Sequence, residues 1–135
     1  MKKAVLKKYA QLIAEKGVNI QKGQEVIVQA DLDQPDFVKL VVEACYKAGA
    51  GKVTVEWNYQ PLTKVHVRYR SLKTLSRVET WEEAKLQHRV DALPAVIYLD
   101  SEDPDGLNGI NQTKLAKSQQ AKYGIIKPYQ DKMEN

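Results

Sequence analysis

The segment from Gly23 to Trp57 has the hydrophobic pattern of a strand, a helix and a second strand. A β-branched run at 25–29 predicts the first strand, and alternating apolar residues at 53–57 predict the second. Between them, apolar residues recur at helical spacing behind Asp33, which is the expected cap of the helix. A unit of this kind joins parallel strands, so the segment predicts an α/β fold.

The same periodicities predict the other elements. They are an amphipathic helix over 1–16, helical segments over 62–77 and 78–90, a doubly covered strand over 95–99 and a polar helix over 112–122. Residues 123–129 are interpreted as an extended linker that carries apolar side chains. We therefore predict a three-layer αβα fold with a small, mostly parallel sheet of three strands and about five helices. The expected domain covers 1–122, and 123–135 form a linker toward a missing carboxy-terminal catalytic domain.

Composition narrows the class of protein only moderately. The chain has 135 residues, 43% of them hydrophobic and 28% charged, and a net charge of +4, which is ordinary for a globular domain. The single cysteine, Cys45, lies on the apolar face of a predicted helix and is interpreted as a packing residue. No charged-then-apolar leader opens the chain, and no apolar run approaches the length of a membrane span. The expected location is cytoplasmic.

The sequence contains no complete motif for dinucleotide binding, for zinc binding or for calcium binding. The turn after the first strand lacks the glycines of a dinucleotide-binding fingerprint. His66 and His88 are far apart and belong to no HExxH pattern. The acidic loop from Ser101 resembles a calcium loop but ends at Gln112, where a bidentate Glu belongs. We predict no catalytic residue and no metal ligand in the chain.

Polar side chains collect where the three predicted strands end, which is where open α/β sheets bind ligands. The resulting candidate rim consists of Asp31, Asp33, Asn58, Tyr59, Asp100, Glu102 and Asp103. Carboxylates at such an edge favour cations, including a free α-ammonium group. The alternative is that these residues are ordinary helix caps and turn formers.

A basic run, Lys64 to Arg77, leaves a second class of function open. It contains five Lys and Arg residues and no acid. Nucleic-acid surfaces usually add exposed aromatic side chains, but Tyr69 falls on the apolar stripe of the predicted helix. The run is therefore interpreted as a solvated helix face or a surface for another domain. The alternative function is a freestanding interaction or nucleic-acid-binding module that uses the basic helix 64–77.

Several segments resemble the amino-terminal domain of the thermophilic-type metalloaminopeptidases, the AmpS/PepS/aminopeptidase T group. The segments that carry the resemblance are 15–24, 55–59, 98–104 and 126–129, and their order along the chain matches. The resemblance implies a parent enzyme that removes amino-terminal residues from short peptides with two divalent metal ions, zinc or cobalt.

The resemblance also implies which domain of the parent enzyme contains the active site. The family's metal ligands lie in the carboxy-terminal domain, and none of them maps onto this chain. The chain would then be a non-catalytic domain that helps to enclose the active-site cavity and to assemble a homodimer. By itself it is expected to be inactive, to bind no cofactor, and to have neither nucleic acid nor a membrane as partner.

Overall fold

The computed structural model describes residues 2–101 and 103–134. The elements are α1 (Lys3–Leu12), a π-helical turn (Ile13–Gly17), β1 (Glu25–Asp31), α2 (Pro35–Lys47), β2 (Lys52–Asn58), α3 (Gln60–Tyr69), α4 (Leu72–Leu75), α5 (Thr80–Ala92), β3 (Ala95–Leu99) and α6 (Gln112–Glu134). The strands form one parallel sheet in the order β2-β1-β3. The predicted class, three-layer α/β with a small parallel sheet, is confirmed.

The chain divides into two compact units, and the first contains the sheet. This unit comprises residues 1–59 and 94–102, so it holds α1, the π-helical turn, α2 and all three strands. The strand β1 lies in the centre, paired with β2 from Glu25 to Asp31 and with β3 from Val26 to Ala30. The strand–helix–strand segment predicted from the sequence is therefore the structural centre of this unit.

One face of the sheet forms the core of this unit. Its buried residues come from alternate positions of β1, from β3, from the inner face of α2, from small residues of α1 and the π-helical turn, and from the loop before β1: Ala10, Ala14, Ile20, Val26, Val28, Ala30, Val38, Val41, Cys45 and Ile97. The side-chain alternation of a strand places Val26, Val28 and Ala30 on the same face. The helix α1 packs through its small residues, whereas its larger apolar residues Val5 and Tyr9 are 51% and 58% exposed.

The second unit comprises residues 60–93 and 103–135, and its first helices correct the prediction of one helix over 62–77. The helix α3 ends at Tyr69 and α4 begins at Leu72. Ser71 lies between them with an extended backbone, and its hydroxyl oxygen accepts a hydrogen bond from the Thr74 N–H at 3.1 Å. A serine in this role favours a new helix start over continuation of the previous helix.

The predicted apolar stripe of this region is not a core face. Leu62, Val65, Tyr69 and Leu72 are between 40% and 73% exposed. The buried residues here are Val67 and Leu75, at 2% and 6% exposure. The spacing correctly indicates a helix, but the periodicity of the apolar residues does not identify the face that is buried.

The prediction of an extended segment over 123–129 is wrong, because α6 continues without interruption to Glu134. Pro128 removes one backbone donor from the helix, but local contacts support the turns around it. Lys127 forms an i,i+4 ion pair with Asp131 at 3.0 Å, and Tyr129 donates its hydroxyl to Glu83 of α5, also at 3.0 Å. The domain boundary at 122 and the linker role of 123–135 stay predictions.

Candidate functional site

The candidate site lies at the carboxyl end of β1, next to the carboxyl end of β3. Asp31 is the last residue of β1 and pairs in register with Asn58, the last residue of β2. The chain leaves β1 through Leu32, whose N–H donates to the Asn58 carbonyl at 3.0 Å. Because β1 connects to β2 on one side while β3 pairs on its other side, the β1/β3 edge is the topological switch point of the sheet.

Ser101 joins two of the predicted rim carboxylates at this edge. Its backbone N–H donates to Asp31 Oδ2 at 2.5 Å. Its hydroxyl lies 2.5 Å from Asp33 Oδ1 and 3.3 Å from Asp31 Oδ2. A serine hydroxyl has only one proton to donate, and the shorter distance assigns that proton to Asp33. We call these three residues the Asp31–Ser101–Asp33 cluster.

The environments of the two carboxylates are very different. Asp31 is only 7% exposed, and its Oδ1 is buried without a hydrogen-bond partner among the residues that the structure describes. Asp33 is exposed. Their bridged oxygens lie within about 6 Å of each other, a distance at which like charges repel appreciably. The cluster therefore has more acceptors than donors and two adjacent negative charges.

Asp33 does not cap α2, in contrast to the prediction from its sequence position. Gln34 occupies the N-cap position, and the Asp33 carboxylate accepts the hydrogen bond from Ser101 instead. Helix starts of this kind also tolerate Pro35 in the first turn without a side-chain cap. The interpretation of Asp33 as a helix cap is therefore wrong.

Of the other predicted rim residues in the described part of the chain, Tyr59, Asp100 and Asp103 form no hydrogen bond with the cluster. Asn58, Tyr59 and Asp100 belong to the same unit and are exposed. Asp103 lies in the second unit, where it exchanges two hydrogen bonds of 3.0 Å with the Gln60 side chain. Glu102 lies outside the described residues. Whether any rim residue faces a substrate remains a prediction.

Sequence reasoning missed Ser101 as a member of the site. The available signal is its position, since it follows β3 closely in the same way that Asp33 follows β1. Serine is so common in turns that this position alone does not single it out. The contact that matters spans 70 residues of sequence.

The basic run, Lys64 to Arg77, extends over two helices instead of the single predicted helix. Tyr69, expected on a buried stripe, is 73% exposed, and the guanidinium carbon of Arg68 lies 5.3 Å from the centre of its ring. The argument that this surface lacks an exposed aromatic side chain is therefore wrong.

The described residues contain neither a cluster of metal-binding side chains nor a membrane-spanning helix. Among residues 2–101 and 103–134, no group of three or more His, Cys, Asp and Glu side chains could hold a metal ion. These residues therefore do not fit a metal centre. Within the same part of the chain, none of the helices is long and apolar enough to cross a membrane.

Many ligand-binding proteins share a parallel α/β unit with polar residues at its strand ends. Comparison with known proteins identifies the family to which this chain belongs. The chain matches the family model described as thermophilic metalloprotease (M29) over residues 2–135. It belongs to this family, in agreement with the resemblance of its segments.

The individual relatives are aminopeptidases. The chain is 37% identical over 116 residues to aminopeptidase AmpS of Bacillus subtilis, an alignment that covers 86% of this chain and 28% of that protein. It is 30% identical over 123 residues to aminopeptidase T of Thermus thermophilus, covering 91% of this chain and 30% of the relative. The solved structure of wild-type AmpT from Thermus thermophilus superposes with a TM-score of 0.85 at 29% identity, covering 97% of this chain and 33% of that one. The chain thus spans about a third or less of the proteins that it matches.

Proposed function

We propose that this chain is the amino-terminal, non-catalytic domain of an M29 aminopeptidase that removes amino-terminal residues from short peptides. In this proposal the domain helps to enclose the active-site cavity and to assemble a homodimeric cytoplasmic enzyme. Its partners are a carboxy-terminal catalytic domain and the peptide substrate.

One observation carries the proposal. Nearly the whole chain matches aminopeptidases, yet these matches cover only 28% to 33% of the relatives. A segment of this kind supplies one part of a larger enzyme. The similarity extends to the fold, with a TM-score of 0.85, so the chain is expected to serve as the same structural part.

The catalytic chemistry is assigned to the part of the enzyme outside this chain. Two divalent ions, zinc or cobalt, would polarise the scissile carbonyl and activate a water molecule there. Since the described residues do not fit a metal centre, no catalytic step is assigned to them. Their proposed task is to exclude water from the cavity and to present the polar strand ends to the substrate.

An assay of the purified chain tests the proposal. We expect no hydrolysis of leucine para-nitroanilide with added cobalt or zinc, under conditions in which aminopeptidase T of Thermus thermophilus is active. Metal-dependent turnover by the 135-residue chain would overturn the non-catalytic assignment. Circular dichroism of the same sample verifies that the inactive protein is folded.

A nucleic-acid-binding module that uses residues 64–77 is the second candidate, supported by the exposed Tyr69 beside Arg68. Such binding would weaken steeply with salt, because phosphate contacts release counterions. Charge reversal at Arg68 and Arg70 would abolish it. Salt-sensitive binding of single-stranded RNA that these variants lose would favour this candidate over the aminopeptidase domain.

A further inference from the structure

Among the residues that the structure describes, the Asp31–Ser101–Asp33 cluster has fewer donors and less positive charge than its two carboxylates require. Two carboxylates offer about eight lone-pair positions, and the Ser101 N–H and hydroxyl supply one hydrogen bond each. Asp31 Oδ1 is buried and accepts no hydrogen bond within the described residues. A buried polar atom without a partner is destabilising, and more so when it is charged, so the cluster carries negative charge that its own donors do not offset.

The place of the cluster in the fold points to a ligand that offsets this charge. Open α/β sheets bind ligands outside the carboxyl ends of their strands, at the position where the strand order reverses. In the order β2-β1-β3 this position is the edge between β1 and β3. Asp31 ends β1 there, Asp33 follows two residues later, and Ser101 follows β3.

We propose that the Asp31–Ser101–Asp33 cluster is a binding site for a primary ammonium group. An ammonium group brings one positive charge and three donors. The exposed carboxylate of Asp33 and the Ser101 hydroxyl oxygen receive these donors, and the positive charge offsets the negative charge of the buried Asp31 carboxylate beside them. The Ser101 hydroxyl holds Asp33 in place beside the buried Asp31.

A divalent metal ion fits the cluster less well than an ammonium group does. Calcium takes six to eight oxygen ligands, and magnesium requires near-ideal octahedral geometry. The cluster offers two carboxylates and one hydroxyl, and no larger metal-binding group occurs among the described residues. An ammonium group is satisfied by three acceptors, which the cluster supplies.

The ligand class follows if the chain serves an aminopeptidase, and this step rests on the proposed function. A peptide substrate of such an enzyme, the released amino acid and the shortened peptide each carry a free α-ammonium group. The cluster would then hold the charged end of an amino acid or short peptide at the wall of the cavity.

The test is a titration of the 135-residue protein with leucinamide, followed by amide chemical shifts in NMR spectra. At pH 6.5 the amine is protonated, because α-amino groups titrate near about 7.7–8.0. We expect saturable shifts centred on the Ser101 and Asp33 amides. N-acetyl-leucinamide, which lacks the ammonium group, should produce none at the same concentration, and magnesium chloride and calcium chloride form the competing arms.

Two charge-neutralising variants and one matched control locate the site. Asp33→Asn should raise the dissociation constant of leucinamide about tenfold or more through the loss of a charge-assisted hydrogen bond, and Asp31→Asn should raise it about tenfold through the loss of the neighbouring negative charge. Asp36→Asn removes the same charge from the first turn of α2 and should leave binding unchanged. If Asp31→Asn does not fold, the exposed Asp33 decides the result.

Three results would overturn the ammonium site. They are shifts that never saturate, equal shifts from the acetylated compound, and shifts at the cluster produced by divalent ions in place of leucinamide. The experiment requires no catalytic domain, so it is independent of the proposed function. Leucinamide binding by a chain that cannot complete an aminopeptidase would leave the site intact and refute only its assigned role.

Discussion

Ser101 donates its backbone N–H to the buried carboxylate of Asp31 at 2.5 Å, although the two residues lie 70 positions apart in the sequence. This contact links the ends of the neighbouring strands β1 and β3. Because it holds one strand end against the other, the contact should contribute to the stability of the sheet.

Asp31→Ala should lower the free energy of unfolding by about 1–3 kcal/mol. The substitution leaves the Ser101 N–H without its acceptor and removes a buried side chain. Urea denaturation followed by circular dichroism measures the change. Asp105→Ala, in an exposed loop, is the control and should remain within about 0.5 kcal/mol of the unsubstituted protein. Equal effects from the two variants would show that the Asp31 contact contributes nothing.

Val28→Ala tests the core of the sheet-containing unit. Val28 is 0% exposed in the centre of β1, so its truncation loses buried methyl groups and leaves a cavity. The expected loss is roughly 2–3 kcal/mol in the free energy of unfolding. Val5→Ala removes the same atoms from a site that is 51% exposed and should cost under about 0.5 kcal/mol. A loss from Val5→Ala as large as that from Val28→Ala would mean that α1 buries the face that carries Val5.

Two glycine substitutions should have opposite effects on stability. A Cβ atom at Gly51 would lie 2.5 Å from the Gly23 carbonyl oxygen, a backbone atom that cannot rotate away. Gly51→Ala should therefore destabilise the protein by about 1–3 kcal/mol.

Gly124 lies inside α6, and a Cβ atom added there would have open space around it. Gly124→Ala should therefore stabilise the protein by about 0.5–1 kcal/mol through helix propensity. Thermal denaturation of both variants measures the two signs, and stabilisation by Gly51→Ala would contradict the close approach of the two turns.

Cys45 should be chemically inert in the folded protein. Burial raises the pKa of its thiol to about 11, so very little thiolate, the reactive form, is present at pH 8. Iodoacetamide should label the native protein far more slowly than the urea-unfolded protein, in which the thiol is accessible and has its ordinary pKa. Fast labelling of the native state would contradict this burial.

The raised pKa of the Cys45 thiol also makes the free energy of unfolding depend on pH. Between the ordinary pKa of the thiol, near 9, and its folded value of about 11, the unfolded state has released the Cys45 proton and the folded state has kept it. Stability should therefore decrease as pH rises through this window. Cys45→Ala should make that part of the decrease disappear, which urea midpoints at pH 8 and pH 10 measure.

Local patterns in the sequence are sufficient to predict the sheet. The strand predicted over 95–99 has the observed bounds of β3, and the predictions for β1 and β2 lie within two residues of theirs. Their β-branched runs and the helix between them are short-range signals that the tertiary structure does not oppose. The order of the strands and their register depend on contacts between distant residues, and the sequence pattern contains no record of these.

The errors occur where tertiary contacts outweigh local preference. Apolar spacing places Tyr69 on a buried stripe, but Tyr69 is exposed and Val67 of the same helix is buried. Gly124 and Pro128 suggest an extended segment, whereas contacts with α5 and a local ion pair keep α6 helical. At the candidate site, Asp33 has the sequence position of a helix cap and bonds Ser101 instead.

The central claim is that this chain forms one part of an M29 aminopeptidase, and a chimera tests it most directly. Residues 2–135 would replace the aligned segment of aminopeptidase T from Thermus thermophilus, with that enzyme lacking the segment as control. We predict that the chimera folds and hydrolyses leucine para-nitroanilide in a cobalt-dependent reaction, while the shortened control does not. A folded, metal-loaded chimera without turnover would contradict the claim.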